Sequence, residues 1–227
     1  MIDAGPPPKI WTPEKPAIVR ANSLMDIERA TFPFPFMSPS GFTTWNPSDK
    51  SAGVVLTNNN LTATMSSSGL EALRAIAGMS SGKWYWELTF TGSSSVNCLV
   101  GIGKASAAFG AGGPGSDANG WGYYSNDGSK YNNNNASAYG SGYGLLDTIG
   151  IAFDADNGRL FFRKNGSWVN TGDPVAGTNA AFTGLTSGPY YPMVGDGTLG
   201  VVTVVFIANF GASIFSSAAP TSYGGLR

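Results

Sequence analysis

No histidine occurs anywhere in the 227 residues. That absence removes the commonest general base, the base of a serine triad and the most frequent metal ligand together. Cysteine is nearly missing as well. Cys98, within the apolar run Val96 to Ile102, cannot close an internal disulfide and reads as a small buried side chain. Charge is scarce: acidic and basic residues make up 12% of the chain with a net charge of −1, about half the roughly 25% usual for soluble proteins. The electrostatic footprint that nucleic acid or an anionic membrane demands is therefore lacking, and neutral partners such as glycans or other protein surfaces are predicted. The most apolar stretch, Gly200 to Phe215, is shorter than a span of about 20 residues and contains Asn209 and Gly211, so it reads as a buried strand and its exit. The first residues, MIDAGPPPKIW, have no apolar core of signal-peptide length, and no Sec export is predicted.

Without histidine, paired carboxylates are the remaining route to catalysis. The candidates are Glu87, Asp117, Asp127, Asp147, Asp154, Asp156, Asp173 and Asp196; most stand beside Gly or Pro in apparent turns, and they form no constellation. No enzyme, no catalytic residue and no cofactor is predicted. Asp154, Asp156 and Asn157 invite a calcium reading, but DADNGRLFFRKNG lacks both the ligand register and the final Glu of an EF-hand. Asp and Asn are also what a hairpin turn demands. Asp117, Asn119, Asn126 and Asp127 fare no better on the same count of ligands, so no metal site is predicted.

What the chain does contain is β texture. Ile149, Ile151 and Phe153 alternate with Gly150, Ala152 and Asp154, which puts one apolar face on a core. Asn157-Gly158 predicts a tight turn with positive φ, Leu160 to Phe162 resume the strand, and Asn165-Gly166 predicts a second turn. From Gly41 onward short apolar runs separated by Gly, Asn, Ser and Asp predict strands at 53–56, 62–65, 84–90, 97–103, 121–125, 148–153, 159–164, 190–194 and 201–206. Trp84 and Trp86 share one face of their strand and Tyr85 takes the other. One segment is ambiguous: Leu70, Leu73 and Ile76 follow helical spacing and LEALRAIA holds good helix formers, yet glycines bracket it and it leads directly into GKWYWEL.

Residues 1–40 differ in kind. Pro6, Pro7, Pro8, Pro13, Pro16, Pro33, Pro35 and Pro39 exclude long helices and favour an extended, polyproline-like arm, with two helical turns predicted over Ser23 to Ala30. Ile10, Trp11, Ile18, Val19, Phe32, Phe34 and Phe36 are too apolar for an idle linker, so the arm packs either on its own domain or on a partner. The least regular part is 104–144, dense in Gly, Ser and Asn with interleaved aromatics. Asp117, Trp121, Tyr123, Tyr124, Tyr131 and Tyr139 are the candidate ligand residues there. Exposed rings would stack on sugars or serve as protein hot spots; the alternative is that they cap the sandwich.

GKWYWEL at Gly82, VGIG at Val100, the hairpin DTIGIAFDADNGRLFFRKNG at Asp147, and YYPMV at Tyr190 with ANFG at Ala208 together resemble the SPRY domain, the core of the B30.2 family, over about residues 41 to 215. The resemblance implies an all-β fold, a bent sandwich of two antiparallel sheets over 41–227 preceded by the Pro-rich arm of 1–40, and turns LEALRA toward strand. It also implies a non-catalytic module binding partners through loops of one rim, here near 105–120, 130–144 and 170–188. The chain departs from intracellular animal members in having no RING, B-box or coiled-coil region upstream, so their peptide specificity does not carry over. WNPSDKSAGVVLTNNNLTAT at Trp45, NGSWVNTGDPVAGTNAAFTGL at Asn165 and PKIWTPEKPAIVRA at Pro8 resemble segments of SPRY-containing bacteriophage virion proteins of tail, fibre or decoration type. That narrower resemblance implies a virion component made in the host cytoplasm. The arm would anchor it to capsid or tail proteins in an oligomeric assembly, and the SPRY domain would face host glycan or protein. The alternative is a soluble SPRY adaptor that binds a peptide segment of a partner protein.

Overall fold

The computed structural model describes residues 41–92, 97–110, 112–197 and 203–227. The arm, its apolar residues from Ile10 to Phe36 and the short helix expected over Ser23 to Ala30 lie outside the described residues. Two seven-stranded sheets face each other. The first runs in the order β1 (Trp45–Lys50), β4 (Ala72–Ala75), β13 (Tyr191–Asp196), β6 (Cys98–Gly103), β7 (Gly120–Tyr124), β8 (Lys130–Asn132), β9 (Asn135–Ser137). The second runs β12 (Ser167–Trp168), β11 (Arg159–Lys164), β10 (Thr148–Asp154), β5 (Lys83–Gly92), β14 (Val204–Asn209), β3 (Thr62–Met65), β2 (Val55–Thr57). The pairings between these strands are antiparallel, so the expected all-β sandwich is the observed one.

The inward faces build one large core from Trp45, Trp86, Phe90, Phe153, Phe162, Phe206 and Phe210, all at or below 1% exposure. Each such ring contributes about 1.5–3 kcal/mol relative to an exposed position. Trp45 meets Phe210 edge-on at 5.1 Å, the favoured geometry for two ring quadrupoles. On β5 the alternation is as expected: Trp86 enters the main core and Trp84 packs against it, while Tyr85 joins a second cluster on the outer face with Ala152, Phe161 and Tyr223.

The ambiguous segment is a strand. β4 lies between β1 and β13, and its four residues are all buried. Sheet pairing on both edges and burial on both faces override the helical propensity of LEALRA. β1 is not among the expected strands, and it carries Pro47. It is an edge strand whose register shifts between Trp45 and Lys50, the setting in which a sheet tolerates proline. The short strands β8, β9 and β12 were not anticipated either, being polar or only two residues long.

The β10–β11 hairpin differs from expectation at its tip. Asp154 pairs with Arg159 across a four-residue loop in which Gly158 alone takes positive φ, at 61°. Asn157 is held by the Asp154 carboxylate, which accepts its backbone N–H at 3.1 Å and its side-chain amide at 2.9 Å. The second turn is the two-residue type expected, Lys164 pairing with Ser167 around Asn165 (φ 47°) and Gly166 (φ 85°).

Two carboxylates make this hairpin sensitive to acid. Burial pushes both Asp147 and Asp154 up, but hydrogen bonds and a nearby lysine outweigh it, so both sit below the ordinary value of 3.8. For Asp147 the donors are the Gly144 N–H, the Asn165 amide and Lys164; for Asp154 they are the Asn157 amide groups and Lys83. A depressed native pKa contributes stability that is complete above the unfolded value and disappears as pH falls through the native one. The urea midpoint is expected to fall below about pH 4, and less steeply in Asp154→Asn. No histidine titrates, and burial pushes the Cys98 thiol up from 9.0 to about 12, so the midpoint is expected to be flat from about pH 6 to 8 and to fall as pH approaches 9, where the thiol ionises only in the unfolded chain.

The C-terminal segment covers the outer face of the second sheet. Buried Glu87 accepts the backbone N–H groups of Ser216 at 2.6 Å and Ser217 at 2.9 Å and the Tyr85 hydroxyl at 2.9 Å. Phe215 then meets Tyr85 edge-on at 4.9 Å, and the Tyr85 N–H donates to the Gly224 carbonyl at 2.8 Å. Glu87→Ala strands these donors and is expected to cost about 2 kcal/mol. Faster amide exchange in 211–227 than elsewhere is the expected signature; uniform acceleration would contradict it.

Candidate functional site

The outward face of the first sheet carries almost no side chains at its centre. Gly101 and Gly103 on β6, Gly120 and Gly122 on β7 and Gly195 on β13 leave a bare backbone floor. The irregular segments 104–110 and 112–119 lie on it like a strap. A Cβ on Gly113 would sit 2.7 Å from the Gly195 Cα, and one on Gly120 would sit 2.6 Å from the Gly115 nitrogen. Backbone packs directly on backbone. Ala72, Ala107 and Met193 form a small buried cluster under the strap, with Phe109 packed against it.

Polar contacts fix the strap at both ends. Arg74, 5% exposed, forks onto Asp49 at 2.8 and 2.9 Å and donates to the strap carbonyls of Lys104 at 3.2 Å and Ala107 at 2.7 Å. Its guanidinium also lies 4.2 Å from the centre of the Phe109 ring. At the far end Asn133 and Asn134 donate backbone N–H groups to the carbonyls of Asp117 and Gly115 at 2.9 and 2.8 Å, tying the strap to the β8–β9 turn.

Beside the strap a pocket of 220 Å³ opens between Gly112 and Ser116 of the strap, Leu99 and Tyr124 of the sheet, Tyr131 and Asn134 of the β8–β9 hairpin, and Leu70 and Gly197. Tyr124 and Tyr131 meet edge-on at 5.2 Å. Neither phenol hydroxyl, nor the Ser116 hydroxyl, nor the Asn134 amide has an intramolecular hydrogen-bond partner among the described residues. Burial, followed by the neighbouring Tyr131, Asp127 and Cys98, raises the Tyr124 pKa, so its phenol stays a donor at neutral pH. The lining thus combines an aliphatic floor, two ring edges and several unpaired neutral hydrogen-bonding groups, with no carboxylate or ammonium.

Of the six candidate ligand residues, Tyr124 and Tyr131 meet at this pocket. The others do not. Tyr123 is fully buried, stacked on Phe162 at 5.2 Å, and Tyr139, at 7% exposure, packs against the same two rings; both belong to the core and not to a ligand surface. Trp121 also points inward and meets Tyr190 edge-on at 5.4 Å. Pairing explains the split: Trp121 and Tyr123 lie opposite Ile102 and Val100 on the core face, Tyr124 opposite Leu99 on the outer one. Asp117 spends its carboxylate on the strap, accepting the N–H groups of Ala108 at 2.8 Å and Asn119 at 2.9 Å. Leu70, Leu99, Ser116 and Asn134 are not among the candidate ligand residues that the sequence offers. Strand alternation separates Tyr124 from Tyr123, but nothing local brings Leu70 to it. Among the described residues no group of three or more His, Cys, Asp and Glu could hold a metal ion, and no helix is long and apolar enough to cross a membrane.

Comparison with known proteins fits this architecture. The SPRY domain family model matches residues 83–208, more than half of the chain. The chain belongs to the SPRY domain family. A Drosophila melanogaster protein, Ran-binding proteins 9/10 homolog, is 31% identical over 180 residues, which is 75% of this chain and 17% of that protein. This SPRY domain chain therefore spans about a sixth of that relative's length. The crystal structure of the SPRY domain of human HERC1 superposes with a TM-score of 0.59 over 72% of this chain and 96% of that one, at 19% identity, a likeness of fold.

Proposed function

We propose that this SPRY domain is a non-catalytic recognition module that takes an extended, uncharged segment of a partner protein in the Tyr124–Tyr131 pocket. One observation carries the reading: unpaired phenol, hydroxyl and amide groups ring an aliphatic floor of Leu70 and Leu99. An apolar side chain of the segment fills the floor while its backbone satisfies the polar rim. The name of the Drosophila relative, a Ran-binding protein homolog, supports protein binding as the mode. Selection from a displayed random-peptide library is expected to yield uncharged binders that Tyr131→Ala weakens about tenfold or more. Selected peptides that bind this variant as tightly as the parent would refute the reading.

A second reading makes the chain a bacteriophage virion component, its arm held by other virion proteins through Ile10, Trp11, Ile18, Val19, Phe32, Phe34 and Phe36 and its SPRY domain facing host glycan or protein. Support comes from the resemblance of the Pro8, Trp45 and Asn165 segments and from the low charge content of 12%. Deleting residues 1–40 separates the two readings: an adaptor keeps its peptide binding, whereas a virion component fails to enter particles.

A further inference from the structure

Outward side chains of the second sheet stand in two rows. Thr148, Thr89, Ile207, Thr62 and Thr57 lie opposite one another across β10, β5, β14, β3 and β2, and Thr91, Val205, Thr64 and Val55 form the next row. Their strand neighbours Leu88, Phe90, Phe206, Ala63 and Met65 point into the main core, so alternation turns both rows outward. Val55 is 55% exposed and Ile207 40%. None of these row residues is charged and all are β-branched, so their side chains are stiff and lose little freedom on contact.

The rows run into an apolar knob. Ile214 is 98% exposed and stands between two hollows, whose linings share it. One, of 320 Å³, is lined by Leu61, Ile207 and Ala208 among others; the other, of 680 Å³, by Phe42, Phe215 and Ala218 among others. The backbone that displays the knob is clamped on both sides. The Asn209 amide donates to the carbonyls of Ser213 at 3.2 Å and Ile214 at 3.1 Å and accepts the Gly211 N–H at 3.0 Å, while Glu87 accepts the Ser216 N–H at 2.6 Å. Phe215 packs onto Tyr85 and Ile214 does not follow it, so an aliphatic side chain projects from a fixed backbone, preorganised for contact. Among the described residues Glu87 is the one charged member of either lining, and its carboxylate is engaged by Ser216, Ser217 and Tyr85.

We propose that two copies of the chain pair through this face about a two-fold axis, Ile214 of each entering the hollow beside Phe42 of the other. A two-fold interface is self-complementary: one patch must carry both the projection and the recess that receives it, and this patch holds them side by side. Its neutrality fits the same partner. Free charges would meet their own kind across the axis and oppose pairing, whereas an unlike partner steered by opposite charge finds nothing here to attract it. The rows and hollows amount to about 20 residues per copy, the low end of the roughly 20–30 of a specific interface, so the pairing is reversible. The face lies on the second sheet and the tyrosine pocket on the first, which makes the two sites independent.

Sedimentation equilibrium of the full chain from about 5 to 500 μM is expected to show monomer and dimer in exchange, with a dissociation constant of about 50 μM. Ile214→Asp is expected to weaken pairing about tenfold or more and to leave the thermal midpoint unchanged, because its side chain is almost fully exposed. Val55→Lys, on the edge strand β2, is the second variant and is expected to weaken pairing about threefold. Ile76→Asp, 54% exposed beside β4 of the other sheet, and Tyr131→Ala should both leave it unchanged. In methyl NMR the Ile207 and Ile214 signals are expected to move with concentration while those of Ile76 stay in place. A chain that remains monomeric at about 500 μM, a dimer that Ile214→Asp leaves as tight as the parent, or a monomer whose Ile214 methyl groups contact another segment of the same chain would overturn the proposal.

Discussion

Substituting valine for Gly113 is expected to lower the thermal midpoint by about 10 °C and to abolish peptide binding at the tyrosine pocket. Two penalties act at once. Gly113 holds φ at 108°, a region that a β-branched residue enters only at a cost of about 1–3 kcal/mol. Its Cβ would also lie 2.7 Å from the Gly195 Cα and 3.0 Å from the Gly195 nitrogen, so the obstacle is backbone at the centre of a sheet and cannot swing aside. Overpacking of this kind costs a further 1–3 kcal/mol or so. The strap must lift, which uncovers Ala72 and Met193 and displaces Gly112 and Ser116 from the pocket. Calorimetry with Gly110→Ala as control is the measurement, because nothing lies within 4 Å of a Cβ at Gly110. A midpoint for Gly113→Val within about 2 °C of the parent would mean the strap is not held as described.

Arg74→Ala is expected to cost about 3–5 kcal/mol, the range for removing one partner of a buried charge network. Four hydrogen bonds disappear together, two to Asp49 and two to strap carbonyls, along with the stacking on Phe109. The carbonyls of Lys104 and Ala107 lose their guanidinium donor, and an alanine cannot refill the space. Lysine is expected to recover little, because a point charge cannot fork onto Asp49 and reach two carbonyls from the same plane. Asp49→Asn should cost far less, about 1 kcal/mol, since the Asp49 side chain is 34% exposed and water replaces the lost partner. Urea unfolding of the three variants tests this ordering; equal losses for Arg74→Ala and Asp49→Asn would show that the ion pair, not the strap, is what Arg74 serves.

Both variants act on a part of the molecule that its sequence describes poorly. The β10–β11 hairpin is legible residue by residue, because its alternation and turn residues are neighbours in the chain. LEALRA is not: its propensity favours a helix, and it becomes a strand because β1 and β13 flank it. The six aromatic and acidic candidates between Asp117 and Tyr139 read as one cluster, yet the sheet sends Tyr123, Tyr139 and Trp121 inward and leaves Tyr124 and Tyr131 outside. Which parity of a strand faces the core depends on register with strands far along the chain.

By itself the sequence determined an all-β chain of the SPRY family and a lining chemistry short of charge and histidine, since composition, alternation and turn residues are local properties that need no partner strand. Only the tertiary structure decided that five scattered glycines form one floor, that an irregular segment lies on it as a strap, and that Leu70 reaches Tyr131. Those facts belong to distances between residues far apart in the chain, from Gly103 and Gly120, 17 positions apart, to Gly113 and Gly195, 82 positions apart, which sheet pairing sets and no local pattern encodes.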